Sequence, residues 1–268
     1  MLRSFRPTPD VDVVTTTATV PGLGNLALNA FVLHAAEPVL VDAGAVRDAE
    51  AFMDALEAVI DPADLRWLWL THTDFDHIGA VAHLLERNAR LRVVTTFLGV
   101  GIMSLAAPLP PDRVHLVNPG QHLDVGDRRL RALRPPAFDN PVTTGLLDER
   151  AGILFSSDCF GALLEDMPGW AEDVPPEDLH RGQVLWATAD SSWLHGVDRT
   201  AFARDLERLR ALEPSLVLSS HLPPARGSSL DRLLGALAAV PDAPRFVGPD
   251  QAALAALLSG AAPSAPAG

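Results

Sequence analysis

The sequence predicts an α/β chain folded as a four-layer αββα sandwich, and three observations carry that prediction. Apolar runs bounded by Gly, Pro, Asn and Asp form two strand-rich stretches, an early one through Thr95 and a second from Val114 to Ser157. Helical stripes accompany each stretch, Phe52, Leu56, Val59 and Ile60 in the first case and Phe202, Leu206 and Leu209 in the second, so each sheet has helices for one face. Between an apolar run, Arg66 to Leu70, and a helical pattern at Ile78, Val81, Leu84 and Leu85 lies Thr71-His72-Thr73-Asp74-Phe75-Asp76-His77-Ile78-Gly79. Four candidate metal ligands, His72, Asp74, Asp76 and His77, thus share one strand-to-helix turn.

The 268 residues are 48% hydrophobic, ample for a sizeable core, and read as a single domain over 1–258 with a disordered C-terminal tail at 259–268. A net charge of −13 argues against nucleic acid and against anionic membranes as partners. All 21 basic residues are Arg, and there is no Lys or Tyr. A P-loop lysine, a Schiff base, a lysine base and a tyrosine proton donor are therefore excluded. Cys159 is the single cysteine, which rules out an intrachain disulfide and a cysteine-cluster zinc site. No apolar h-region follows Arg3 and Arg6, and no run reaches the ~18 apolar residues of a membrane span, so a cytoplasmic location is expected.

In chain order, Thr15 to Val20 and Asn29 to His34 read as strands about a Gly22-to-Asn25 turn, and Pro38 to Val41 as a buried strand ending at Asp42. Asp42 is placed either to orient a ligand histidine from behind or to cap the next helix. Beyond the metal loop come a helix to about Asn88, a strand at Leu91 to Thr95 and an apolar segment from Phe97 to Pro111 that reads as a helix with a Pro-rich exit. Short strands follow at Val114–Val117, Gln121–Leu123, Arg129–Leu133, Thr143–Leu147 and Ile153–Ser157, forming a second, mainly antiparallel sheet. Residues 160–196 read as irregular, a lid carrying Met167, Trp170, Trp186 and Trp193. A helix over Asp198–Leu212, a strand from Leu216 to His221 and a helix over Ser229–Val240 complete the pattern.

Three downstream places can add ligands: Asp158 and His221 at the ends of strands, and Asp139 in a Pro-rich turn. With these residues the chain resembles the metallo-β-lactamase superfamily over roughly residues 12–225, its loop being His-x-Asp-x-Asp-His where the superfamily has His-x-His-x-Asp-His. Two departures, Asp74 in place of the second His and Asp139 nearest the missing downstream His, make it similar to the oxygen-binding diiron domain of flavodiiron proteins. Ser157-Asp158-Cys159-Phe160-Gly161 also looks like that branch's Ser-x-Asp-Ala-Phe-Gly segment. The resemblance implies one metal site of His72, Asp74, Asp139 and Asp158. It implies a second of Asp76, bridging Asp158 and His221, with His77 the least constrained member because that branch usually leaves it unligated.

Four Asp ligands nearly neutralise two divalent metal ions, and hard oxygen donors favour iron, then zinc or manganese. Two chemistries follow. A metal-activated hydroxide would hydrolyse an ester, lactone, thioester or phosphoester, with Asp76, His195, His180 or metal-bound water handling the leaving-group proton; this is the expected function. The alternative, implied by the resemblance, is binding, sensing or reduction of O2 with an external electron donor. The partners expected are accordingly a small-molecule substrate or O2, and a homodimer is compatible with the sequence. Cys159 beside Asp158 is either redox-active or a small buried residue.

Overall fold

The early apolar runs build a long hairpin. In the computed structural model, which describes residues 2–105 and 107–259, Val11–Val20 (β2) and Gly24–Leu33 (β3) pair antiparallel in unbroken register from Val11 opposite Leu33 to Val20 opposite Gly24. Arg3–Thr8 (β1) adds to β2, and Val39–Val41 (β4) to β3, both antiparallel. From β4 the sheet continues with parallel strands Trp67–Trp69 (β5), Arg92–Thr95 (β6) and Val114–Leu116 (β7), giving seven strands in chain order. Parallel pairing requires crossovers, supplied by Ala49–Glu57 (α1), Val81–Arg87 (α2) and Phe97–Met103 (α3).

The second sheet contains His122–Asp124 (β8), Arg129–Leu133 (β9), Gly145–Asp148 (β10), Ile153–Phe155 (β11), Leu216–Leu218 (β12) and Ala225–Arg226 (β13), in the order β13-β12-β11-β10-β9-β8. Every pairing is antiparallel except β11 with β12. Helices Pro176–Asp190 (α4), Arg199–Arg210 (α5) and Leu230–Ala239 (α6) follow its strands, and Gln251–Ser259 (α7) closes the described chain. Three apolar clusters make the layers explicit. Alternate residues Val39, Val41, Trp67 and Trp69 meet Leu130, Leu146, Phe155 and Leu218 between the sheets, while Leu40 and Leu68 face the other way onto Phe52, Leu56 and Leu84. Leu154 and Val217 pack on Leu179, Phe202 and Leu233 at the opposite surface. This is the four-layer αββα sandwich expected; each fully buried Leu or Phe in it contributes about 1.5–3 kcal/mol of hydrophobic stabilisation.

Three details differ from the sequence reading. The strand at Val114 belongs to the first sheet, parallel to β6, because its short run carries no signal of which sheet it joins. The helix after the metal loop begins at Val81; Ile78 lies within the loop, held by the Gly79 and Ala80 amides bonding back to Gly44 and Ala43. Residues 160–196 include the 15-residue α4, whose weak amphipathic stripe and mid-helix Gly182 hide it. Gly182 is required there, since a Cβ would drive into the Leu163 carbonyl. The expected tail at 259–268 lies outside the described residues except for Ser259, which ends α7. Among the described residues no helix is long and apolar enough to cross a membrane.

Candidate metal centre

The loops carrying the expected ligands leave the carboxyl ends of β5, β9, β11 and β12, and the turn carrying Asp42 leaves that of β4. In open α/β sheets that end is where ligands gather. Asp42, Ser157 and Phe160 all adopt left-handed backbone conformations, with φ of 61°, 55° and 73°, which costs free energy in non-glycine residues and recurs at functional sites. Asp42, fully buried, accepts hydrogen bonds from the Thr71 amide (2.8 Å), the Thr71 hydroxyl (2.9 Å) and His77 Nδ1 (2.9 Å). It thus holds the first residue of the metal loop and orients a histidine from behind; no hydrogen bond from its side chain caps a helix among the described residues.

Three buried imidazoles are arranged alike, each with Nδ1 engaged by protein and Nε2 turned inward. His77 Nδ1 meets Asp42, His221 Nδ1 donates to the Ala27 carbonyl at 2.8 Å, and His72 Nδ1 lies 3.2 Å from Thr71 Oγ1 and 3.3 Å from Ser157 Oγ. Such outer bonds fix the tautomer that leaves Nε2 free for a metal. Asp158 stands among them: its Oδ2 is 3.3 Å from His72 Nε2, and its Oδ1 is 3.3 Å from both His77 Nε2 and His221 Nε2. Asp76 Oδ2 lies 3.5 Å from His77 Nε2 and 3.4 Å from His221 Nε2, and Asp139 Oδ1 is 4.0 Å from His72 Nε2. Asp74 accepts from Asn140 Nδ2 at 2.8 Å and joins His72 and Asp139 in a third ligand-capable group.

These residues fit a pair of metal ions. His72 Nε2, His77 Nε2 and Asp158 Oδ1 are buried without a hydrogen-bond partner, an unfavourable state unless a cation meets them. Separations of 3.3–3.5 Å between donor atoms match neighbouring ligands around an ion bound at about 2.0–2.2 Å. The two oxygens of Asp158 face different imidazoles, as a bridging carboxylate requires.

Electrostatics point the same way. Burial opposes charge on Asp158, yet His72, His221 and His77 hold its carboxyl well below the usual range. Burial alone would lower His221, but Asp158 and then Asp76 raise it to about 9; His77 is likewise driven up, against burial, by Asp158, Asp42 and Asp76. On the other side, burial and then the Asp158 charge push Asp139 up to about 8, and the same two causes push Asp190 up to about 7. Carboxylates forced together until they retain protons are the electrostatic requirement of a cation site.

Asp190 is the residue the sequence reading missed. It ends α4 and forms a ligand-capable group with Asp139 and Asp158, but nothing local distinguishes it from a helix-terminal acid. His195 lies in the 3-10 turn Ser192–Gly196 and belongs to none of the ligand-capable groups among the described residues. Cys159 is buried in the outer core and burial pushes its thiol up, the state of an inert packing residue. Of the expected lid, Trp186 sets its ring edge against His221 at 4.9 Å, and Trp193 leans on Phe138 beside Asp139 at 5.0 Å. Trp170 stacks under Arg226 instead.

Comparison with known proteins matches residues 26–184 to the family described as ODP family beta lactamase. The chain is 31% identical over 134 residues to diflavin flavoprotein A 1 of Synechocystis sp., covering 50% of this chain and 23% of that protein. It is 24% identical over 152 residues to the anaerobic nitric oxide reductase flavorubredoxin of Pectobacterium atrosepticum, covering 56% and 30% respectively. Rubredoxin oxygen:oxidoreductase from Desulfovibrio gigas shares the fold at a TM-score of 0.76 and 18% identity, covering 90% of this chain and 61% of that one. The chain therefore spans about a quarter of the first of these relatives. These relatives overturn the expected hydrolysis of an ester, lactone, thioester or phosphoester: they are named as flavoproteins and a reductase, not as hydrolases.

Proposed function

This chain belongs to the ODP family beta lactamase group, and on that footing we propose that it is a non-haem diiron protein that binds and reduces a diatomic oxidant, dioxygen or nitric oxide, with electrons from a separate donor. The observation that carries this reading is the composition of the cluster: Asp74, Asp76, Asp139 and Asp158 converge with three imidazoles, and the four carboxylates offset the charge of two divalent ions. Hard oxygen donors in that proportion favour iron over zinc.

His72, Asp74, Asp139 and Asp158 would hold one ion, and Asp76, His77, His221 and the shared Asp158 the other. A bound iron pair would supply the electron transfer to the oxidant; the protein supplies position and exclusion. Asp42, the Ala27 carbonyl and the Thr71–Ser157 hydroxyl pair keep the three Nε2 atoms facing inward. Trp186 covers the His221 side, and Gly161 lets it approach, because a Cβ there would strike the Trp186 indole. With a single cysteine, these 268 residues carry no cysteine-ligated electron carrier, so the electrons have to come from another group.

The test is metal content of protein purified without oxygen from a metal-replete host, with optical spectra before and after addition of O2 and of nitric oxide. Two irons per chain and a spectrum that responds to at least one oxidant are expected. Stoichiometric zinc or manganese with no spectral response would overturn the proposal.

A further inference from the structure

Beside Asp139, a cleft of about 680 Å³ opens between β9 and the C-terminal half of α5. It exists because Arg131 and Leu133, on the outer face of β9, are only half-buried near the end of that helix. Its lining brings together Arg131, Arg134 and Arg208 with Phe138 and Trp193, and Asp205 is its one acidic residue. In a chain of net charge −13 such a gathering of cations needs a reason.

The three cations are committed to different degrees. Arg134 lies over the Phe138 ring at 4.9 Å and makes no hydrogen bond or ion pair among the described residues. Arg131 Nε makes no hydrogen bond but forms an ion pair with Glu149 at 3.4 Å, so it contributes charge to the cleft wall and not a free donor. Arg208 is 76% exposed and forms an ion pair at 2.8 Å with Asp205, one turn away on its own helix, a surface pair that solvent keeps weak and a phosphate can displace. Trp193, 40% exposed, is fixed by donation of its indole N–H to the Phe138 carbonyl at 2.6 Å and by contact with the Phe138 ring. A large ring is thus presented at the cleft wall with little freedom left to lose.

We propose that this cleft binds an anionic mononucleotide, its planar ring stacked on Trp193 and its phosphate held by Arg134 and Arg208. Guanidinium groups suit phosphate because their fixed donors match its oxygens, and aromatic faces accept any planar base. The volume lies within the range of small-ligand sites. A nucleic acid is disfavoured by the acidity of the chain as a whole, whereas a single phosphate needs only the local cations. None of the metal-cluster side chains lines the cleft, so this site stands independently of the diiron reading.

The experiment titrates flavin mononucleotide and, separately, adenosine monophosphate into the metal-loaded full chain at low salt, by calorimetry, with riboflavin and adenosine as uncharged counterparts. One equivalent of at least one nucleotide is expected to bind, the tighter of the two identifying the preferred ring. Loss of the phosphate, Arg134→Gln, Arg208→Gln and Trp193→Ala should each weaken binding about tenfold or more, with metal content unchanged. Arg208 is exposed on a helix, so its variant keeps the fold and the test stands whatever the others do. Failure of both nucleotides to bind, or binding that none of the three substitutions affects, would overturn the proposal.

Discussion

Asp42→Asn exchanges one atom behind His77 and tests whether that histidine is a ligand. In the native chain Oδ1 accepts from the Thr71 amide, and Oδ2 accepts from the Thr71 hydroxyl and faces His77 Nδ1 at 2.9 Å. The Thr71 amide can only donate, so the asparagine oxygen must take its place and the NH2 group must replace Oδ2. The NH2 group then donates toward His77 Nδ1, which has to give up its proton and become an acceptor. The proton moves to Nε2, the atom that points at Asp76 and Asp158 at 3.5 and 3.3 Å, and a protonated nitrogen cannot bind a metal. Replacing the partner behind a ligand histidine typically costs 10–100-fold in metal affinity, about 1.4–2.8 kcal/mol. The assay is a competition titration of Fe(II) or Co(II) against a chelator of known affinity, with both binding steps resolved. One step should weaken by that factor and the other stay within about twofold. Two steps identical to wild type, in a folded variant, would show that His77 is not a ligand and refute the argument.

Asp158→Ala should lose both metals, whereas Asp139→Ala should weaken only the site containing His72; elemental analysis after gel filtration distinguishes them, and full metal retention in Asp158→Ala would sink the bridging assignment. Metal uptake should strengthen with pH: metal-free His221 keeps its proton to about 9, above its ordinary 6.5, so an ion must displace it, and apparent affinity should climb about tenfold per pH unit up to that point. Chelator competition at several pH values checks the slope. By the same sign, the charged His221 stabilises the metal-free fold below about pH 6.5, and that contribution fades as pH rises through about 9. Gly182→Ala forces α4 away from the Leu163 carbonyl and should cost about 1–3 kcal/mol of stability, read by chemical denaturation. Because α4 carries Trp186 and Asp190, the same variant should also perturb metal binding.

Local sequence determined more of the site than of its surroundings. His72, Asp76, Asp158 and His221 were legible because each follows an apolar run that must be a buried strand, and a ligand-forming side chain just past such a run has few structural reasons to be there. The stripe of α5 was equally legible, since a period of 3.6 is written in neighbouring residues, whereas of β2 and β3 only the halves Thr15–Val20 and Asn29–Leu33 were, because β3 is buried at consecutive positions and shows no alternation. The tertiary structure alone decided what lies far apart in the chain. The Ala27 carbonyl aims His221 across 194 residues, Ser157 reaches His72 across 85, and Asp190 arrives at the cluster on a helix whose own pattern barely announces it. Which sheet receives β7 was likewise settled by pairing with β6 and not by anything in its own short run. Periodicity records which face of an element is buried, but not which distant backbone or carboxylate that face will meet.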